Sequence, residues 1–254
     1  MRKIYAIGIG AGDPEHLTVQ AVKRLNEVDV FFVLAKGKEK DDLVRARQQI
    51  LDRFVERPGY RVVRAEDPPR DRNPTDYRVA VADWHEARTE LYEQLIRDEL
   101  AEDQVGAILV WGDPALYDST IALIDAVLAR GAVEFSYEVI PGISSLAALT
   151  AAHRTTMNQI GRPVLITTGR RVEAGWPADI DDVFVMLDAN CTFDRFTGEG
   201  LHLYWGAYLG TPTEILLEGP LTAELAGRVR SIRTEARARN GWIMDTYLLR
   251  RHRE

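Results

Sequence analysis

In this 254-residue chain, the segment best suited to hold a ligand is WGDPALYD, Trp111 to Asp118. It follows the apolar run Val105 to Val110 with no spacer, and ligands of open parallel sheets gather at the carboxyl ends of such strands. Gly112 lets backbone come close to a ligand, Pro114 stiffens the turn, and Asp113 can accept hydrogen bonds from an ammonium, a hydroxyl or a backbone amide. For Gly-Asp-Pro alone, a tight turn without a ligand is the plain alternative. Two further loops have the same make-up. GIGAGDPEHLT sets Gly8, Gly10 and Gly12 between an apolar strand and a helix expected near Thr18. VIPGISSL carries Pro141-Gly142, then Ser144 and Ser145 at a helix start, where serines also serve as caps. A glycine-rich connection that touches nothing remains open for the first loop. Taken together, glycine loops at the carboxyl ends of three apolar strands predict one cleft.

A nicotinamide dinucleotide fits this pattern poorly. The fingerprint needs GxGxxG and an acidic residue about 20 positions on, at the end of the second strand. Here the loop reads GxGxGDP, and Asp29 precedes the second apolar run rather than ending it.

The elements that must carry these loops alternate as in a parallel sheet with helices on both faces. Strands are expected at Ile4 to Ile9, Val30 to Val33, Tyr60 to Val63, Val105 to Val110 and Phe135 to Ile140. Between Tyr77 and Glu102, Val81, Trp84, Leu91 and Leu95 recur at helical steps interrupted by Arg88, which predicts a long helix with one buried stripe. The preceding DPPRDRNPTD reads as a loop, and Thr75 or Asp76 can cap the helix. After Pro141, strand-like segments fall at Val164 to Thr168, Val183 to Leu187, Leu201 to Ala207, Glu214 to Leu217 and Trp242 to Leu249. Aromatic residues in two of these favour a mixed sheet. The expected architecture is α/β with two domains: residues 1–141 with a parallel sheet flanked by helices, and residues 142–254 with a mixed sheet. The cleft is expected between them.

Composition narrows the function. At 46% hydrophobic and 28% charged residues the chain is globular, without a run of about 18 apolar residues that could span a bilayer. Nothing in the opening MRKIYAIGIGAGDP suggests export. Cys191 is the only cysteine, which excludes an intrachain disulfide and suits a reducing cytoplasm. His16, His85, His153, His202 and His252 lack metal-ligand spacing, so no metal site is expected. A net charge of −7 argues against binding a nucleic-acid backbone, and the basic stretch Arg228 to Arg239 reads first as a solvated helix.

GIGAGDPEHLT, WGDPALYD, VIPGISS and TTGRR, in this order and spacing, resemble the tetrapyrrole methylases over nearly the whole chain. The pattern is nearest to members that methylate a precorrin with loss of an acetyl unit in cobalamin biosynthesis. The resemblance implies S-adenosylmethionine bound largely through backbone groups. By position, its contacts fall on Ala11, on Trp111, Gly112, Asp113 and Leu116, on Ser144 and Ser145, and on Met186, Leu209 and Gly210. Core packing is the alternative for Met186. Many relatives read GPGD where this chain has Ala11-Gly12-Asp13, and the last strand, WIMDTYLLRR, ends more polar than is usual.

Methylation with deacetylation needs a proton carrier or water activator, for which Asp113 stands first, followed by Tyr117, His153 and His85. The substrate's rim of carboxylates calls for arginines, with Arg154, Arg162, Arg170 and Arg171 as candidates and plain surface positions as the alternative. The family is commonly homodimeric. Rival readings are a methylase of the same fold with another target, a nucleotide-binding oxidoreductase, and a noncatalytic tetrapyrrole sensor.

Overall fold

The computed structural model describes residues 1–35, 41–69 and 76–252. Its contacts divide it into two units, one of Met1–Gly10 and Pro14–Ile143, the other of Ala11–Asp13 and the chain from Ser144 onward. Where the sequence reading ended the first unit at Pro141, the contacts carry it to Ile143 and assign Ala11–Asp13 to the second.

The first unit is a five-stranded parallel sheet in the order β3-β2-β4-β1-β5. Its strands are β1 (Arg2–Gly8), β2 (Val30–Ala35), β3 (Arg61–Glu66), β4 (Val105–Val110) and β5 (Phe135–Ile140). Alternate residues of each strand enter opposite cores. Tyr5, Ile7, Phe31 and Leu109 pack with Ala21 and Leu25 of α1 (Val19–Leu25) and Ile50 and Leu51 of α2 (Asp41–Phe54). On the other face Ile4, Ala6, Phe32 and Ile108 meet Tyr92 and Ile96 of α3 (Tyr77–Glu99) and Leu123, Ile124 and Val127 of α4 (Thr120–Arg130). Burying both faces explains why the strands read as continuous apolar runs.

Helix α3 corrects the expected stripe. Val81, Trp84, Leu91 and Leu95 are only half-buried, whereas Arg88, Thr89, Tyr92, Glu93 and Ile96 are buried. A charged residue can hold a core position when partners meet it, and Arg88 and Glu93 both have them: Arg88 Nε lies 2.9 Å from Asp67 Oδ1, and Glu93 Oε2 lies 2.9 Å from Arg130 Nε. Asp76 caps α3, its Oδ1 accepting from the Val79 amide at 3.2 Å. Thr75, and most of the preceding loop, lie outside the described residues.

The second unit carries a mixed sheet in the order β6-β7-β10-β8-β9. Its strands are β6 (Val164–Thr168), β7 (Asp182–Met186), β8 (Leu201–Ala207), β9 (Ile215–Pro220) and β10 (Asp245–Arg251). Only β6 and β7 run parallel; the remaining pairs are antiparallel. One face packs Val185, Leu203, Trp205, Tyr247 and Leu249 against the one-turn α6 (Gly169–Val172) and α7 (Ala223–Asn240). The basic stretch Arg228 to Arg239 thus lies within helix α7. Helix α5 (Ser145–Ala152) packs on β10 and β8.

The last strand was expected at Trp242 to Leu249 and runs instead from Asp245 to Arg251. Its polar finish has a structural reason. Arg250 is buried and donates from Nε to the fully buried Asp182 at 2.5 Å, and its other nitrogens reach Thr155 Oγ1 and the Thr156 carbonyl at 2.8 Å. This buried ion pair ties the chain after α5 to the sheet.

Candidate functional site

The three glycine loops of the first unit are built against one another. Gly10 and Gly112 exchange backbone hydrogen bonds, Gly10 N to Gly112 O at 3.2 Å and Gly112 N to Gly10 O at 2.8 Å. A Cβ on Gly142 would stand 2.1 Å from the Gly112 carbonyl oxygen, and one on Gly8 would stand 2.6 Å from the Gly142 nitrogen. Backbone packed on backbone this closely excludes any side chain. Gly8 and Gly142 therefore serve loop-to-loop contact, a role the sequence reading did not give them.

Asp113 completes the staple. Its Oδ1 accepts from the Ala115 amide at 2.8 Å, and its Oδ2 accepts from the Gly142 amide at 2.9 Å. Both carboxylate oxygens thus hold backbone, so this residue, the first candidate for proton transfer, organises two loops. Pro14–His16 forms a single 3-10 turn, and Thr18 caps α1 through its hydroxyl, 3.0 Å from the Ala21 amide. Two ring nitrogens beside these loops, His16 Nδ1 and Trp111 Nε1, are buried without a hydrogen-bond partner among the described residues. Buried polar atoms in native proteins are normally satisfied, so both nitrogens call for a partner that the described residues do not supply.

The other expected cofactor positions lie in the second unit. Gly12, beside the buried Ala11, packs so closely on the segment Leu209 to Thr211 that a Cβ would stand 2.5 Å from the Leu209 carbonyl oxygen. The structure therefore brings Ala11, Leu209 and Gly210 together. Ser144 is the N-cap of α5, accepting from the Ala147 amide at 3.3 Å, and Ser145 begins the helix. Met186 ends β7 half-buried.

Strained backbone collects beside these segments. Tyr117, Leu187 and Tyr208 hold φ of 50°, 54° and 51°, in the left-handed region that side chains disfavour. Each costs on the order of 1–3 kcal/mol, and such strain concentrates at functional sites. Tyr117 is 47% exposed and Leu187, just after Met186, is 69% exposed, so neither conformation is explained by core packing.

His153 is held on both sides of its ring. Its side chain is 3% exposed, Nδ1 lies 2.8 Å from Glu218 Oε2, and Nε2 lies 3.1 Å from the Trp205 carbonyl oxygen. Both ring nitrogens hold the C-terminal end of α5 to the sheet. His85, on α3, packs its ring 5.1 Å from that of Trp84.

The four candidate arginines are all exposed and all belong to the second unit. Arg154, with φ 52°, and Arg162 lie on the connection from α5 to β6, while Arg170 and Arg171 lie in α6. Arg171 lines an open cavity of about 310 Å³ with Leu165, Thr167, Val172, Gly175 and Pro177.

A second polar group, missed by the sequence reading, lies at the carboxyl end of β4. Arg88 Nη1 donates to Ser119 Oγ at 2.9 Å, and Arg47 Nε donates to the Leu109 carbonyl at 3.2 Å. Burial pushes the Arg47 guanidinium down from its usual value, against the pull of Tyr92 and Asp118. Burial likewise raises the Tyr92 hydroxyl to about 12, with Arg88 opposing it. The signal was present: Arg88 was the charged residue that broke an apolar stripe.

Among the described residues there is no group of three or more His, Cys, Asp or Glu that could hold a metal ion, and no helix is long and apolar enough to cross a membrane. Residues 3–223 match the family of Tetrapyrrole (Corrin/Porphyrin) Methylases. Over 251 residues the chain is 49% identical to a Sinorhizobium protein named Precorrin-6A synthase [deacetylating], covering 99% of this chain and 96% of that one. A solved cobalamin synthesis related protein, CobF, of Corynebacterium diphtheriae superposes with a TM-score of 0.85 at 37% identity, covering 98% of each chain. A uroporphyrin-III C-methyltransferase from Thermus thermophilus, solved with S-adenosylhomocysteine, shares the fold at a TM-score of 0.60 and 18% identity, over 97% of this chain and 96% of that one. The glycine loops, the paired sheets and the match along most of the sequence agree: this chain belongs to the tetrapyrrole (corrin/porphyrin) methylases.

Proposed function

We propose that this chain is an S-adenosylmethionine-dependent C-methyltransferase of cobalamin synthesis. In this reading it methylates precorrin-5 at ring carbon 1, and the acetyl unit leaves with water as acetate, giving precorrin-6A. The observation that carries the reading is the likeness along the whole chain, 49% over 251 residues, to a protein named for that activity.

The donor's contacts are assigned to Ala11, Trp111, Gly112, Asp113, Leu116, Ser144, Ser145, Met186, Leu209 and Gly210. The unsatisfied ring nitrogens of His16 and Trp111 support a polar ligand beside the glycine loops. When bound, S-adenosylmethionine supplies a methyl group already activated on a sulfonium. The chain's own task is therefore to orient the ring carbon and exclude competing geometries, with no strong nucleophile required. Asp113 serves by fixing two loops. For proton transfer during deacetylation, Tyr117 is the side chain this reading retains, because it stands exposed on the WGDPALYD loop in a strained conformation.

On a protein of net charge −7, a polycarboxylate substrate needs local cations. Arg154, Arg162, Arg170 and Arg171 are assigned that role, as guanidinium pairs carboxylates bidentately. We read the enzyme as cytoplasmic, with no nucleic-acid or membrane partner, and as a homodimer. The exposed Val164 and Ile166 on the edge strand β6 support a second copy docking there.

Titration calorimetry with S-adenosylhomocysteine tests the cofactor assignment. Saturable heat is expected, and its absence at high micromolar ligand overturns the assignment.

A further inference from the structure

The ligand loop Trp111 to Asp118 leaves the sheet where two parallel strands part. Strand β2 pairs with β4 only from Val30↔Gly106 to Phe32↔Ile108, yet continues against β3 to Ala35↔Glu66. Beyond Ile108 no described residue of β2 pairs with β4, and the Leu109 carbonyl accepts from Arg47 Nε at 3.2 Å. Arg47 stands on α2, whose core face is shared with α1. At the loop's other end, Ser119 is the N-cap of α4 but makes no capping hydrogen bond with its side chain. Its hydroxyl accepts instead from Arg88 Nη1 at 2.9 Å, while Arg88 Nε pairs with Asp67 Oδ1 just past β3. Arg88 stands on α3, on the opposite face of the sheet.

A cap hydroxyl normally satisfies a helix amide, a contact worth about 1 kcal/mol. Here that contact is replaced by one to a buried guanidinium that is also fixed by a buried carboxylate. Arg88 is 8% exposed, so it spends burial of a charge on holding one loop end. The loop's middle is already fixed by Asp113 on Gly142 and by the Gly10–Gly112 pair. At its exit Asp118 Oδ1 also accepts from the Thr120 amide at 2.6 Å, and one guanidinium meets the chain at each end of the loop.

We propose that Arg47 and Arg88 are positioning residues that bracket the loop Trp111 to Asp118, setting its entry and exit and thereby the affinity for the methyl donor. The proposal rests on the reading that this loop contacts S-adenosylmethionine. Arg88 needs its planar fork, because two acceptors on different elements are met by nitrogens of one group; lysine offers a point charge.

The test is calorimetry with S-adenosylhomocysteine on the full chain and on Arg88→Ala, Arg88→Lys, Ser119→Ala, Arg47→Gln and the Arg88→Ala/Ser119→Ala double variant, each well below its melting temperature. Hydrogen bonds to charged groups predict roughly tenfold weaker binding for Arg88→Ala, Ser119→Ala and Arg47→Gln. The double variant should bind no more weakly than Arg88→Ala, because both changes remove one shared contact. Arg88→Lys should not rescue. A merely structural role lowers the melting temperature and leaves the affinity of folded protein alone, so wild-type affinity in the folded variants overturns the proposal. Additive losses in the double variant overturn it too. Should Arg88→Ala fail to fold, Ser119→Ala still decides. If the unaltered chain shows no heat, the cofactor reading fails first and the proposal falls with it.

Discussion

The two units fix the loops of their candidate sites in different ways. In the first, backbone packs on backbone: Gly8 and Gly142 meet each other and the Gly112 carbonyl so closely that neither has room for a Cβ. In the second, backbone also meets backbone where Gly12 packs on the Leu209 carbonyl, but at the end of β7 a side chain does the fixing. Asp188, just past β7, accepts from the Asn190 amide at 2.9 Å, the Thr192 amide at 2.6 Å and hydroxyl at 3.0 Å, and the Tyr247 hydroxyl at 2.7 Å. There the strained residues Leu187, Cys191 and Tyr208 carry side chains where glycine would be easier. The difference shows that a loop can be made rigid either by removing side chains or by satisfying one buried carboxylate. The first leaves glycines in the loops themselves, and the second leaves one opposite the carboxylate, Gly169, where a Cβ would stand 2.5 Å from Asp188 Oδ1.

The contrast can be broken most sharply at Gly142. An alanine there puts a Cβ 2.1 Å from the Gly112 oxygen, and both partners are backbone. Overpacking with no side chain to yield should cost about 3 kcal/mol or more, read by urea unfolding, and should weaken donor binding in whatever folds. Loss below 1 kcal/mol would mean that the loops move freely. Next is Asp188→Asn, which keeps shape but turns a donor toward groups that already donate. About 2 kcal/mol is expected from the same measurement, because buried donors lose an acceptor.

The smallest effect concerns acid stability of the second unit. Burial, with His252 beside it, holds His202 below the usual histidine range; Arg250 and His153 act the same way, and Glu218 opposes them. Its ring lies against Tyr204, with centroids 4.6 Å apart. The unfolded chain therefore takes up a proton at higher pH than the folded one does. Stability from this group is present above the unfolded value and is lost as pH falls through the folded value. Unfolding midpoints measured downward from pH 7 should decline, and His202→Gln should flatten that decline. An unchanged slope in the variant would assign it to other groups.

Much of the fold was legible because buried parallel strands write apolar runs and β-branched and aromatic residues mark the other strands. The strands Val105 to Val110, Phe135 to Ile140, Val164 to Thr168 and Leu201 to Ala207 lie where those runs predict. The last strand was displaced because Arg250 reads as an end signal, and only Asp182, distant in sequence, makes it a core residue. Helix α2 was not read, since polar and charged residues such as Arg45, Arg47, Gln48 and Gln49 outnumber the apolar ones through its middle. In the site, the glycine loops were visible, yet their reason was not. The roles of Asp113 and His153 depend on partners 29 and 65 residues away, Gly142 and Glu218, which no local pattern announces. Arg88 announced itself by breaking a stripe, and its meaning needed Ser119, 31 residues on.

The most direct test of the whole account is turnover. Incubating the chain with precorrin-5 and S-adenosylmethionine labelled on its methyl group should place label in the pigment and release acetate in equal amounts. Label in the pigment without acetate, or no transfer at all, would contradict it.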